Sequence, residues 1–404
     1  MASSQTAWFQ MKIARYVVAW ILIAAGVLSG GIAAADPIKI GIMLPLTGRQ
    51  TPFGRVEQNA VQMAAAEVNA GGGVKDKKIE LIVADSRGNP DAGRAAIENL
   101  INRDGVIVVG GGFSSAATWA AISIAQKNKI PFLVNSASAD KITEQGWEYI
   151  FRLNQPQSER LDAVASFLTG VANDIRSVAI VYTNSLEQAA AARQFSKMAD
   201  AMDLKQVFRE GFATGTEDFR PLLARMKSVN PDLIYVVADR AEDAALLARQ
   251  LKELVLNPKL FIGGGDGFAA PEFALHAAKA SDHIVCTARW SPRLPYRGAG
   301  VFNKKYIAQF KTPPGIYGAE AYAGIAVIAD ALHRSKTLAP KNIRDALAET
   351  RLMTVLGSVQ FISYKQKSRQ NRVPAFLLQW LNGQAEIVWP KQLATHKVVY
   401  PVPQ

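Results

Sequence analysis

The chain has 404 residues, 49% hydrophobic and 20% charged, a balance that excludes a disordered polymer and a length too great for one compact core, so two domains of ordinary size are expected. Its 46 basic and 34 acidic residues leave a formal charge of +12 that is spread along the chain. The densest basic run, Lys365 to Arg372, has no interleaved aromatic after Tyr364, which favours a solvated loop over a nucleic-acid groove. Cys286 is the only cysteine, so an intramolecular disulfide is excluded, and its apolar run HIVCTA marks it as a buried structural thiol.

Residues 1–35 read as an export signal. Lys12 and Arg15 are basic, Val17 to Val27 is apolar, and Ala33-Ala34-Ala35 offers a small-x-small cleavage site before Asp36. The alternative is a retained anchor, since Tyr16 to Ala35 is nearly long enough to span a bilayer. Without a cysteine at the cleavage site, no lipid anchor is expected, so the mature protein is expected in the periplasm.

The next segment, residues 38–69, is the most informative. A strand-like IKIGIML leads through PLTGRQTPFG into a helix with Val56, Ala60, Met63, Ala64 and Val68 on one stripe, stopped by Gly71-Gly72-Gly73. A connection of about ten residues is longer than a βα turn needs, and long loops at the carboxyl ends of parallel strands tend to bind ligands. Strand and helix then alternate through KIELIVAD, a helix opened by Asn89-Pro90, VIVVGGG, a helix from about 115, and PFLV. A second series runs from near 158 through SVAIVY, DLIYVVAD, KLFIGGG and HIVCTA with helices between. Two α/β units of this kind imply two lobes with a cleft between their strand carboxyl ends. After 290 come three helices and the short strands GSVQFI, VPAFLLQWL and AEIVW, additions that complete both lobes.

The candidate site follows from these strand ends. Gly110-Gly111-Gly112 precedes Phe113-Ser114-Ser115 and a helix, which predicts a small anion site of backbone amides and a hydroxyl, or else a packing turn. Asn135 to Ser138 adds polar groups at the next strand end, and Asp239 and Asp266 stand just past strands where carboxylates hold a cation. Their alternatives are a helix cap and a turn residue. Ser114 lies in G-F-S-S-A, not in the G-x-S-x-G elbow, and all four histidines fall in the last third, so a hydrolase using Ser114 is a poor reading.

Several segments together resemble the periplasmic substrate-binding proteins of branched-chain amino acid ABC transporters. They are KIGIMLPLTG…FG…NAVQMAAAEVNAGGGV, GGGFSSAAT, ITEQGWEYIFRLN, TGTEDFRPLLARMKSVNPDLIYV and YGAEAYAGIAVIADAL. The resemblance implies an α/β fold of two doubly wound lobes, the type I periplasmic-binding fold, with an interlobe cleft and three crossovers. Lobe 1 is then expected at 36–156 and 289–365, and lobe 2 at 157–288 and 366–404. It implies that Ser114 meets a ligand carboxylate, that Ala137 and Ser138 stand for an alanine–threonine pair contacting carboxylate and ammonium, and that Phe53 covers the ligand. In lobe 2 the chain departs from the pattern: Glu187-Gln188 replace a tyrosine–glycine pair, Thr183 replaces an aspartate, and the family's ammonium-binding acid aligns with Gly265 beside Asp266. The expected function is a non-enzymatic receptor, monomeric and without a cofactor, that delivers a small carboxylate-bearing ligand to an inner-membrane permease. Alternatives are an amide, urea or aromatic acid as ligand, or a sensory partner in place of the permease.

Overall fold

The computed structural model describes residues 36–403. The expected signal at 1–35 lies outside them. Residues Ile38–Gln404 form one compact unit built on two seven-stranded sheets.

The first series is β1 (Ile38–Leu44), α1 (Thr51–Ala70), β2 (Ile79–Asp85), α2 (Pro90–Asn102), β3 (Val108–Gly111), α3 (Ser115–Lys127), β4 (Phe132–Val134) and β5 (Ile150–Arg152). The second is α4 (Asp162–Gly170), β6 (Ser177–Thr183), α5 (Leu186–Ala201), β7 (Lys205–Phe212), α6 (Arg220–Ser228), β8 (Leu233–Val237), α7 (Ala241–Glu253), β9 (Leu260–Gly264), α8 (Asp266–Ala269), α9 (Pro271–Ala277) and β10 (Val285–Ala288). Then come α10 (Ala299–Phe310), α11 (Gly315–Arg334), α12 (Pro340–Ala348), β11 (Leu352–Thr354), β12 (Gly357–Val359), β13 (Phe361–Tyr364), β14 (Lys367–Asn371), β15 (Phe376–Leu381) and β16 (Gln384–Trp389).

The sheet orders are β13-β14-β5-β4-β3-β1-β2 and β16-β15-β10-β9-β8-β6-β7. Within each sheet the core strands are parallel, and the late strands add antiparallel pairs at one edge. The order in which successive strands are laid down reverses at β1/β3 in one sheet and at β6/β8 in the other, and the crevice beyond such a switch point is where open α/β sheets bind ligands. The strands are apolar because both faces are covered: Ile40, Ile42 and Leu44 in β1, and every residue of β8, are buried. Helix starts follow the sequence signals, as where Asn89 Oδ1 accepts from the Ala92 amide at 2.9 Å with Pro90 at the first helical position.

The chain passes between sheets after β5, after β10 and between β14 and β15. The last crossing falls between Asn371 and Phe376, later than the expected 365/366 boundary, because β14 pairs with β5 in the first sheet. The run read as a solvated loop is therefore largely that strand. Its Lys367, Gln370 and Asn371 are buried: Arg152 of β5, fully enclosed, donates to Gln370 Oε1 at 2.5 Å, to the Ala139 carbonyl at 2.7 Å and to Thr143 Oγ1 at 2.9 Å, while Lys367 bridges Asp140 at 3.0 Å and Glu144 at 3.1 Å. A buried guanidinium survives only with such a complement of partners. Cys286 is buried, and burial pushes its thiol up to about 12, as suits a structural thiol.

Candidate functional site

The first wall of the cleft comes from the loops after β1, β3 and β4. Gly111 and Gly112 have φ of +107° and +83°, and a Cβ on Gly111 would stand 2.4 Å from the Met43 carbonyl oxygen. That turn is a clamp between strand ends. The Gly112 amide donates to Met43 at 2.9 Å, and the Gly111 and Gly112 carbonyls accept from Asn135 at 2.7 Å and Ala137 at 2.9 Å. The glycines thus spend their backbone groups on packing, and the donors left for a ligand lie one step later, at the start of α3. Ser114 caps that helix, accepting from the Ala117 amide at 3.4 Å, while its hydroxyl donates to the Gly88 carbonyl at 3.0 Å. The following amides, of Ser115 and Ala116, are first-turn amides with no intrahelical acceptor. Ala137 and Ser138 are buried just past β4, and the Ser138 carbonyl accepts from the Gln157 amide at 2.9 Å on the first crossover.

Phe53, in the first turn of α1, is 42% exposed. Its ring stacks on Phe113 at 5.2 Å and 13°, and Tyr317 of α11 meets both edge-on, at 5.3 and 5.0 Å.

The second wall is built from the ends of β6, β8 and β9. Glu187 stands in the first turn of α5, which Ser185 caps by accepting from the Gln188 amide at 3.2 Å. Asp239 follows β8, and Asp266 opens α8 after Gly265, whose φ of +87° lets the backbone pass where a Cβ would meet the Ala238 carbonyl oxygen at 2.5 Å. Glu187, Asp239 and Asp266 line one cavity of about 80 Å³ together with Gln157, Arg160, Gln188, Tyr235, Thr287 and Tyr317. The three acids named from sequence are thus brought together. Phe53, Ser114, Ala137 and Ser138 do not line that cavity, and Phe53 is joined to it through Tyr317. Thr183 is buried at the end of β6 and does not line it either.

Two residues that the sequence reading passed over organise the charges. Arg289, just past β10, lies 3.6 Å from Asp266 Oδ1 and 3.4 Å from Glu320 Oε1 of α11, and its guanidinium covers the Tyr317 ring at 5.2 Å. The Tyr317 hydroxyl donates to Asp266 Oδ2 at 2.7 Å. Burial acts to raise the Asp266 carboxyl, but Arg289, Arg160 and the Tyr317 hydroxyl outweigh it and hold the group below the usual range. Burial pushes Glu320 up to about 7 against the pull of Arg289. Behind it Glu57 of α1, fully buried, accepts from the Ser136 hydroxyl, and burial together with the Glu320 charge pushes it up to about 8. Arg160 follows the first crossover, and burial, with Arg289 adding to it, lowers its pKa. Arg289 sits at a strand end, the position that singled out Asp239, so the same rule applied to cations would have found it. Arg160, in QPQSER before a helix, reads as surface.

Residues 37–385 match the family model described as periplasmic binding protein. The chain belongs to that family. A leucine-, isoleucine-, valine-, threonine- and alanine-binding protein of Pseudomonas aeruginosa is 26% identical over 332 residues, 81% of this chain and 86% of the relative. The branched-chain amino acid transporter substrate binding protein LivJ of Streptococcus pneumoniae, solved with isoleucine, is 26% identical with a TM-score of 0.72, covering 88% of this chain and all of that one. A solute binding protein of Rhodopseudomonas palustris solved with 3,4-dihydroxybenzoic acid shares the fold at a TM-score of 0.72 and 22% identity, over 91% of this chain and 99% of that one. The cleft of this periplasmic binding protein lies where the two-lobed α/β fold puts it, at both switch points. Among the described residues, no helix is long and apolar enough to cross a membrane, and no cluster of His, Cys, Asp and Glu is arranged to hold a metal ion.

Proposed function

We propose that this protein is an exported receptor that takes up a small carboxylate-bearing ligand, an amino acid, in the interlobe cleft and delivers it to an inner-membrane ABC permease without transforming it. The observation that carries this reading is the convergence of Glu187, Asp239, Asp266 and Tyr317 on one cavity beyond the strand ends. The start of α3 supplies amides for the carboxylate, Asp239 and Glu187 supply negative charge for an ammonium, and Phe53 and Phe113 cover the site. The names of the relatives agree with it. The Phe53, Phe113 and Tyr317 rings favour, as a second reading, an aromatic acid stacked at the same place.

The experiment is thermal unfolding of the purified protein against amino acids, amides, urea and aromatic acids. A ligand at a hundredfold its Kd adds about 2.7 kcal/mol, enough for a shift of a few degrees. An amino acid that raises the midpoint supports the leading reading, an aromatic acid alone supports the second, and a flat panel refutes both.

A further inference from the structure

The cleft holds two guanidinium groups with unequal partners. Arg289 faces Asp266 and Glu320 and has the Tyr317 ring beneath it. Arg160 lines the cavity, yet among the described residues it forms no ion pair, and its Nε is enclosed without a hydrogen-bond partner. The nearest charges do not supply one. Asp266 is committed to Arg289 and Tyr317, and among the described residues neither Glu187 nor Asp239, which line the same cavity, forms an ion pair with Arg160. A guanidinium presents five donors in a rigid fork suited to a carboxylate, and withdrawing it from water without an acceptor is costly. The three lining acids leave the wall as a whole negative, so an anion is favoured only at the Arg160 fork itself, where it supplies the missing acceptor and offsets the repulsion from Arg289. An aliphatic side chain placed there would leave this cost standing.

We propose that Arg160 is the anion receptor of the second wall, and that the ligand brings a carboxylate to it in addition to the one taken by the start of α3. The inference rests on the receptor reading above and deepens it: the ligand class is a small dicarboxylate. An acidic amino acid is the member of that class whose ammonium Asp239 and Glu187 can take. Arg160 is then the residue that discriminates this ligand from leucine, isoleucine and valine.

The test is calorimetric titration of the wild type, Arg160→Gln and Arg160→Lys with glutamate, aspartate, glutarate, leucine and benzoate, after thermal unfolding of each protein without ligand confirms a cooperative transition. The expected result is tight binding of a dicarboxylate by the wild type, weakened by about a hundredfold in Arg160→Gln, as for loss of one partner of a desolvated charge pair. Arg160→Lys keeps the charge without the fork and is expected between the two. Glutarate equal to glutamate would identify a plain dicarboxylate, and glutamate alone an acidic amino acid. Leucine bound tightly by wild type and Arg160→Gln alike overturns this inference and leaves the receptor reading standing. Benzoate bound through Arg160 overturns the second carboxylate, and no response to any carboxylate overturns both readings.

Discussion

Glu57 offers a quantitative test of the buried charge chain. Its carboxyl is fully enclosed, Glu320 lies beside it, and its folded pKa is about 8 against an ordinary value of 4.5. A carboxyl whose folded pKa is raised is held protonated by the native state, so its stability contribution is fully present below the unfolded value. It is lost as pH rises from 4.5 toward 8, while the unfolded chain ionises and the folded chain does not. Between pH 5 and pH 8 the loss amounts to about 3 to 4 kcal/mol at about 1.4 kcal/mol per pKa unit. Unfolding entropy scales with length to roughly 0.8 kcal/mol/K for a chain of this size, so the loss corresponds to about 4 to 5 °C in midpoint. Glu57→Gln keeps an oxygen for the Ser136 hydroxyl and removes the titration. The amide's own unmet donors add a pH-independent cost of about 1 to 3 kcal/mol, so the slope and not the height is the readout. Melting wild type and variant from pH 5 to pH 8 is expected to show the midpoint difference moving in the variant's favour by that amount. Parallel profiles would refute the assignment of a neutral, buried Glu57.

Four further outcomes follow from the geometry. Gly111→Ala is expected to destabilise the protein by about 3 kcal/mol or more, through its positive φ and the approach to Met43, and a loss below about 1 kcal/mol in urea unfolding would contradict the clamp. Ser114→Ala removes a helix cap worth about 1 kcal/mol and is expected to weaken ligand binding about tenfold, so full affinity by calorimetry would exclude a part for the Ser114 hydroxyl in holding the carboxylate. Tyr317→Phe takes a hydrogen bond from Asp266, whose depressed pKa should move back toward the ordinary range; an unchanged Asp266 titration by NMR would mean that the charges of Arg289 and Arg160 hold it down without the hydroxyl. Phe53→Ala, at a half-open position, is expected to leave the apo melting temperature within about 1 °C and weaken an enclosed ligand, and the reverse pattern would make it a core residue.

The parallel strands and their helices were legible because burial on both faces writes continuous apolar runs, and because caps such as Asn89-Pro90 mark where helices begin. Strand β7 was not, since KQVFREGF at the sheet edge mixes exposed and half-buried positions and carries no apolar run. Nor was β14, whose KSRQN looks solvated until Arg152 and Asp140, both more than two hundred residues away, supply its partners. Polar burial of that kind depends on tertiary neighbours and leaves no periodic trace. The same limit hid Glu57 and Glu320, which read as the polar faces of α1 and α11 and instead meet beneath the cleft.

For the site, sequence position identified which residues reach the cleft but not which of their groups are already engaged. Asp239 and Asp266 look equivalent from their places after β8 and β9, yet Asp266 is occupied by Arg289 and Tyr317 and serves to hold Arg289 and α11 against the second wall. That leaves Asp239 and Glu187 as the uncommitted acids of the cavity. Ser114 is similarly engaged, because its proton is on Gly88; an anion at α3 meets backbone amides first, and reaches the hydroxyl only if that bond is given up. The wall of three acids thus holds one lining cation, Arg160, that forms no ion pair among the described residues. Ligand choice in such a cleft is therefore governed less by the number of charged side chains than by the few whose partners the protein does not itself provide.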